Sequence, residues 1–278
     1  MILITGASGT VGSEVVKALG GGATKVRAGY RTRPQNIPKG VESVALDFDK
    51  PETIRPALAG VETVFLLSTM VEPERKVVDE AKRAGVKRIV KLSVNGAAEE
   101  GFTFGRWHRA VERHLEASGV PWTFLRPAGF MQNFFNYMGE TIRKQSAIYT
   151  SAGNGAGAHI DARDIGAAAA RVLTGKGHEG KAYVLTGPQA LPYAQAAEIL
   201  SRVLGREIKY VPITHEQMKQ GALAAGMPPV YVDALVDLDR YYAAGRMTAV
   251  TPTVKELTGR DPIRFEQFAK DYADKFRP

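Results

Sequence analysis

The sequence contains no cysteine. That excludes disulfides, thiolate metal sites and a cysteine nucleophile, and it fits a reducing compartment. No apolar run approaches the roughly 18 residues a membrane span needs. Ile2 to Ile4 is too short for a secretion signal, no basic stretch precedes it, and it runs into glycine, so a cytoplasmic location without membrane attachment is expected. No run of five or more lysines or arginines occurs. The formal charge of +8, from 37 Lys+Arg against 29 Asp+Glu, is scattered. It favours small acidic ligands such as phosphates over a nucleic-acid partner. No His/Asp/Glu spacing reads as a metal site, and no Gly-x-Ser-x-Gly hydrolase elbow is present.

What is present is an alternation. Apolar runs at Met1 to Thr5, Lys25 to Tyr30, Ser43 to Leu46, Val61 to Leu67, Val86 to Leu92 and Trp122 to Leu125 read as strands. Helical patterns at Ser13 to Leu19, Pro51 to Leu58, Glu74 to Ala84 and Arg106 to Ser118 lie between them. Strand and helix at this spacing predict a Rossmann-type, doubly wound parallel sheet with helices on both faces. The second half reads as more helical, with strands at Lys181 to Leu185 and Glu207 to Val211. It predicts a small, mostly helical C-terminal substrate subdomain. The expected division is 1–155 for the dinucleotide domain, with 156–185 returning to it, and 186–278 for the smaller α/β unit. Asp164 is read as the N-cap of an alanine-rich helix, and His159 to Ile160 as a short strand.

Gly6, Gly9 and Gly12 are spaced Gly-x-x-Gly-x-x-Gly between the first strand and first helix. Gly6 permits the tight turn, Gly9 lets backbone approach a pyrophosphate, and Gly12 allows close helix–sheet packing. Ser8, Thr10 and Val11 complete a loop whose free N–H groups suit phosphate. An acidic residue at the end of the second strand would bind a ribose 2′-hydroxyl. The sequence there is Tyr30-Arg31-Thr32-Arg33, with no carboxylate. Arg31 and Arg33 suit a 2′-phosphate, so NADP(H) is expected over NAD(H), with Arg31 the stronger candidate. Asp47 and Phe48, after the third strand, read either as adenine contacts or as a capping aspartate and a core ring.

With those residues placed, the sequence resembles the NmrA-like family of atypical short-chain dehydrogenases/reductases, and within it the bacterial quinone- and dye-reducing branch. The resemblance rests on Thr5 to Gly12, Leu66-Leu67-Ser68, Lys91-Leu92-Ser93, His108 to Glu112, Thr123 to Pro127, Phe130 to Asn133 and His159 to Asp164. It implies that Leu67 and Ser68 lie beneath the nicotinamide ribose and that Ser93 and Val94 flank the nicotinamide. It also implies that the loop from Pro127 to Asn133 closes over that end, with Phe130, Met131, Asn133 and Phe134 in the substrate pocket.

No tyrosine is followed by lysine four residues later, so the usual Tyr-x-x-x-Lys pair of short-chain dehydrogenases is absent. Related atypical reductases carry a lysine on the helix before the sixth strand, where this sequence has His108. Glu112, one turn on, lies on the same helix face and is a candidate to orient it. His108 reads as a proton donor, as a cofactor or substrate contact, or as a structural histidine; Ser93 is a weaker donor candidate. Lys91 shares Ser93's side of its strand and is given no role.

Two functions follow. The first is an NADPH-dependent reductase delivering hydride to a small planar apolar acceptor of quinone, azo or triphenylmethane type. The second is a non-catalytic NAD(P)-binding redox sensor that signals to a protein partner. A monomer or homodimer is expected, with the faces of Glu74 to Ala84 and Arg106 to Ser118 as candidate seams.

Overall fold

The computed structural model describes residues 1–32, 37–68 and 71–278. Among these, the strands of the first half are β1 (Ile2–Ile4), β2 (Val26–Tyr30), β3 (Val41–Ala45), β4 (Thr63–Leu66), β5 (Arg88–Leu92) and β6 (Trp122–Pro127). The helices between them are α1 (Thr10–Leu19), α2 (Ile54–Ala57), α3 (Glu74–Arg83) and α4 (Thr103–Ser118). Next come α5 (Asn133–Asn136), α6 (Gly139–Gln145), β7 (Ala147–Thr150), β8 (Ala156–Gly157), α7 (Ala162–Thr174) and β9 (Lys181–Leu185). The chain finishes with β10 (Leu191–Pro192), α8 (Tyr193–Leu204), β11 (Lys209–Pro212), α9 (His215–Ala224), α10 (Pro229–Ala243), α11 (Thr253–Thr258) and α12 (Phe265–Asp271).

β9 joins the first six strands in a seven-stranded sheet of order β3-β2-β1-β4-β5-β6-β9, and every pairing is parallel. The order runs outward in both directions from β1 and β4, which is the Rossmann switch point. The near-continuous apolar strands are explained by burial on both faces. Side chains alternate. Ile2, Ile4, Phe65, Val90 and Leu125 enter one core with α1, α7 and α11. Leu3, Leu66, Ile89 and Phe124 enter another with α2, α3 and α4. Each of these fully buried side chains contributes on the order of 1.5–3 kcal/mol of hydrophobic stabilisation. By the same alternation Lys91, Ser93 and Arg126 face α3 and α4, and this decides the chemistry below.

A third core unites α5, α6, α8, α10 and α12. It contains Met131, Phe134, Ile142, Ile148 and Ala152, which the sequence reading put with the first domain. Val254 of α11 joins the first core instead. The chain therefore crosses between the cores on the sheet and this third core more often than one boundary allows.

Three local expectations are corrected. Asp161, not Asp164, caps α7 by accepting the Arg163 N–H at 2.9 Å. Asp164 is buried one turn in, where it accepts the Ile263 N–H at 2.7 Å and pairs with Arg260. His159 and Ile160 form no strand; Ile160 makes an isolated bridge to Phe130. α4 begins a turn early, because Asp237 of α10 accepts from the Thr103 N–H at 2.7 Å. A cap supplied from another part of the chain leaves no local signal in the sequence. The candidate seams, α3 and α4, pack on each other, with His114 Nε2 2.7 Å from Asp79.

Candidate active site

The glycine loop is shaped by close approaches. Gly6 has φ +56°, and a Cβ there would lie 2.8 Å from Leu67 Cδ1. A side chain at Gly12 would meet the Gly6 carbonyl oxygen at 2.1 Å. The third glycine thus lets the first turn of α1 settle on the loop itself, rather than on the sheet as the sequence reading held. Gly9 is the N-cap, without a side-chain cap and with no acidic residue in the first turn. The first-turn N–H groups of Thr10, Val11 and Gly12 have no carbonyl four residues back within the helix, and with the positive dipole end they favour an anion there. Val11 is 3% exposed and offers only its backbone. Thr5 Oγ1 fixes the neighbouring strand end, donating to Leu67 O at 2.7 Å and accepting from Leu67 N at 2.8 Å.

A cavity of about 190 Å³ opens from this loop across the strand ends. Gly6, Ser8, Gly9, Arg31, Asp47, Phe48, Leu67 and Ser68 line it, bringing together eight residues singled out in the sequence. Arg33 lies outside the described residues. Asp47 Oδ1 accepts the Asp49 N–H at 3.1 Å, so its carboxylate is partly engaged in the turn after β3. Gly29, Leu46, Asp49 and Pro73 complete the wall. The cradle fits a dinucleotide pyrophosphate: its glycines leave backbone exposed where a Cβ would crowd the loop, and its helix end has no competing cap.

Beneath Ser68 lies a buried chain of polar groups. The Ser68 hydroxyl donates to Glu74 Oε1 at 3.1 Å. Glu74 Oε2 is ion-paired with Lys91, and both side chains are fully buried. Lys91 Nζ also donates to Leu92 O at 3.1 Å and stands 3.3 Å from His108 Nδ1. Desolvation, then the Lys91 charge, holds His108 well below the ordinary histidine pKa. Burial raises the Glu74 carboxyl, against the opposing pull of Lys91.

Glu112 does not orient His108. Its carboxylate accepts two hydrogen bonds from Arg126, at 2.9 and 2.7 Å, and one from Arg109 at 3.1 Å. Ser93 is buried beside Glu112, and its hydroxyl makes no hydrogen bond of ordinary geometry among the described residues. Its N–H donates to Leu125 O at 2.7 Å. Pro127 is buried and accepts the Asn95 N–H at 2.8 Å, tying the ends of β5 and β6 together. Val94 is half-buried against the third core. Phe130 packs partly on the first core, and Asn133 opens α5 half-buried. Met131 and Phe134 are 2% and 1% exposed, and Phe134 packs on His159, Tyr193 and Phe265. These two side chains are interior packing in this structure.

The NmrA-like family model matches residues 1–268. The chain belongs to the NmrA-like family. It is 39% identical to an NAD(P)H azoreductase of Xenophilus azovorans, over 99% of each chain. The NADPH-dependent quinone oxidoreductase of Escherichia coli, solved with NADPH, superposes with a TM-score of 0.86 at 28% identity, covering 99% of this chain and 100% of that one. Triphenylmethane reductase of Citrobacter sp., solved with NADP(H), gives 0.84 at 28% identity, covering 98% and 99%.

For this family member, sequence reasoning missed Glu74 and undervalued Lys91. Glu74 opens a helix in a strongly charged segment, where a carboxylate reads as solvated. The available signal was a lysine among the apolar residues of a strand covered on both faces, which demands a buried partner.

Proposed function

We propose that this protein is an NADPH-dependent reductase that delivers hydride to a small planar apolar acceptor of the quinone, azo or triphenylmethane class. The cavity carries this reading: a glycine cradle and uncapped helix end, with Arg31 at its rim and Ser68 leading to His108. The relatives' names and cofactor-bound structures support it.

Gly6, Gly9 and the first turn of α1 hold the pyrophosphate, and Arg31 holds the 2′-phosphate. Leu67 and Ser68 support the ribose at the nicotinamide end. A reduced nicotinamide bound there supplies the hydride. Ser93, Val94 and Pro127 form the wall of that end. With a quinone or azo acceptor, His108 donates the proton that balances the negative charge hydride transfer leaves; a cationic triphenylmethane dye becomes neutral on accepting hydride and takes none. Phe104, Trp107 and Tyr231 form a half-buried ring cluster beside it, with centroids 5.3 to 6.0 Å apart, and give a flat acceptor an aromatic surface. Phe130 and Asn133 border the same end. Such acceptors are electrophilic, so the missing Tyr-x-x-x-Lys pair is no obstacle.

The test is reduced-nicotinamide absorbance with a quinone, an azo dye and a triphenylmethane dye. Protein-dependent loss of NADPH with one of them is expected. NADPH that binds, by its fluorescence, but is never consumed would overturn the reductase reading in favour of a sensor.

A further inference from the structure

Lys91 is fully buried, in a strand whose other residues are largely apolar. Buried ion pairs add little net stability, because desolvation offsets their attraction, so this one calls for another explanation. An ammonium has three hydrogens. Lys91 directs them at Glu74 Oε2, Leu92 O and His108 Nδ1, which leaves none over. A ring nitrogen that accepts from an ammonium carries no proton of its own. With Lys91 as the ammonium donor, the assignment that satisfies this network is a neutral His108 with its hydrogen on Nε2.

We infer that Lys91, clamped by Glu74, is a positioning residue that locks His108 as an Nε2–H donor and refills it after each proton transfer. When Nε2–H gives its proton to the reduced acceptor, the N–H electron pair stays on the ring. A Lys91 proton moves to Nδ1, leaving a neutral imidazole and a neutral amine beside Glu74. One proton from solvent then enters at Nε2 while the Nδ1 proton returns to Lys91, which restores both the ammonium and the Nε2–H tautomer. The hydride comes from reduced nicotinamide, so this role rests on the proposed reductase reading. The lock itself does not.

The groups around the ring are few. β5 presents Lys91, and α3 presents Glu74. On α4 itself, Glu112 is committed to Arg126 of β6 and to Arg109, and Arg109 is shared between Glu112 and Glu116. Asp237 of α10 is engaged by Arg106 and Thr103.

The test is nitrogen NMR on protein with isotopically labelled histidine, the His108 signals being those lost in H108Q. In the wild type, Nδ1 should appear as an acceptor and Nε2 as protonated, unchanged from about pH 5.5 to about pH 8.5, across the ordinary histidine value near 6.5. In K91M the ring should take up mixed tautomers and titrate closer to that ordinary value. NADPH oxidation by K91M should then fall about ten-fold or more at about pH 8 and recover toward acid, where imidazolium donates directly, with KM for NADPH unchanged. A wild-type His108 protonated on Nδ1, or titrating at the ordinary value, overturns the inference without any variant. A K91M protein with the wild-type tautomer and pH profile overturns it as well. If no acceptor consumes NADPH, the reductase reading fails while the spectrum still decides the lock.

Discussion

Glu112 takes both arms of its fork from Arg126, although one helical turn places it on the same face as His108. Burial would raise the Glu112 carboxyl, but hydrogen bonds, first from Arg126, bring it below the ordinary value. The pair ties α4 to β6 and leaves His108 to Lys91. Glu112→Ala should lower folding stability by about 3 kcal/mol, since it strands a partly buried guanidinium. Urea unfolding of the variant measures this. A loss of activity with full stability would instead return Glu112 to the site.

Arg31→Glu should weaken NADPH binding about 10- to 100-fold, the scale of a lost charge-assisted bond plus new repulsion, and leave NADH nearly unchanged. Fluorescence titration of both nucleotides measures the difference. Equal losses for the two would remove Arg31 from the 2′-phosphate.

With a quinone acceptor, His108→Gln should lower kcat about 100-fold, the range for general acid catalysis, with the Kd for NADPH unchanged. Steady-state rates and a nucleotide titration separate the two effects. Unchanged turnover would make His108 structural.

His159 is 5% exposed, stacked on Tyr242, and bonded through Nδ1 to Gly157 O at 3.0 Å. Desolvation lowers its pKa to about 4. Its unfolded value is higher, so the stability of the neutral ring is complete above about pH 6.5 and is lost as pH falls toward 4. The loss is roughly 3 kcal/mol over that window. Thermal melts of the wild type should fall accordingly. His159→Asn keeps the donor and removes the titration, so its melts should fall less steeply over the same range. Identical slopes would place the acid sensitivity elsewhere, His108 being the next candidate.

The sheet and the grouping of the glycine loop with Arg31 around one cavity were legible because their signals are local. Gly6, Gly9 and Gly12 sit within one turn, and Arg31 ends the strand that follows. The buried polar chain was not, because Lys91, Glu74 and His108 come from three elements that only the fold brings together. A same-helix rule joined His108 to Glu112. It failed because Arg126, on the adjacent strand, offers Glu112 a two-pronged charged partner that a neutral imidazole cannot match. Pocket assignments at Met131 and Phe134 met the same difficulty. An aromatic run after a strand reads alike whether it lines a pocket or fills a core, and here these two side chains fill a core.

The most direct measurement is label transfer. NADPH carrying deuterium at its transferable position is incubated with the protein and a triphenylmethane dye, and the colourless product is weighed by mass spectrometry. Hydride delivered to the central carbon forms a bond that does not exchange with water. The account predicts one deuterium in the product, formed only with protein present. Bound, unconsumed NADPH with every acceptor class, or product carrying only solvent hydrogen, would contradict it.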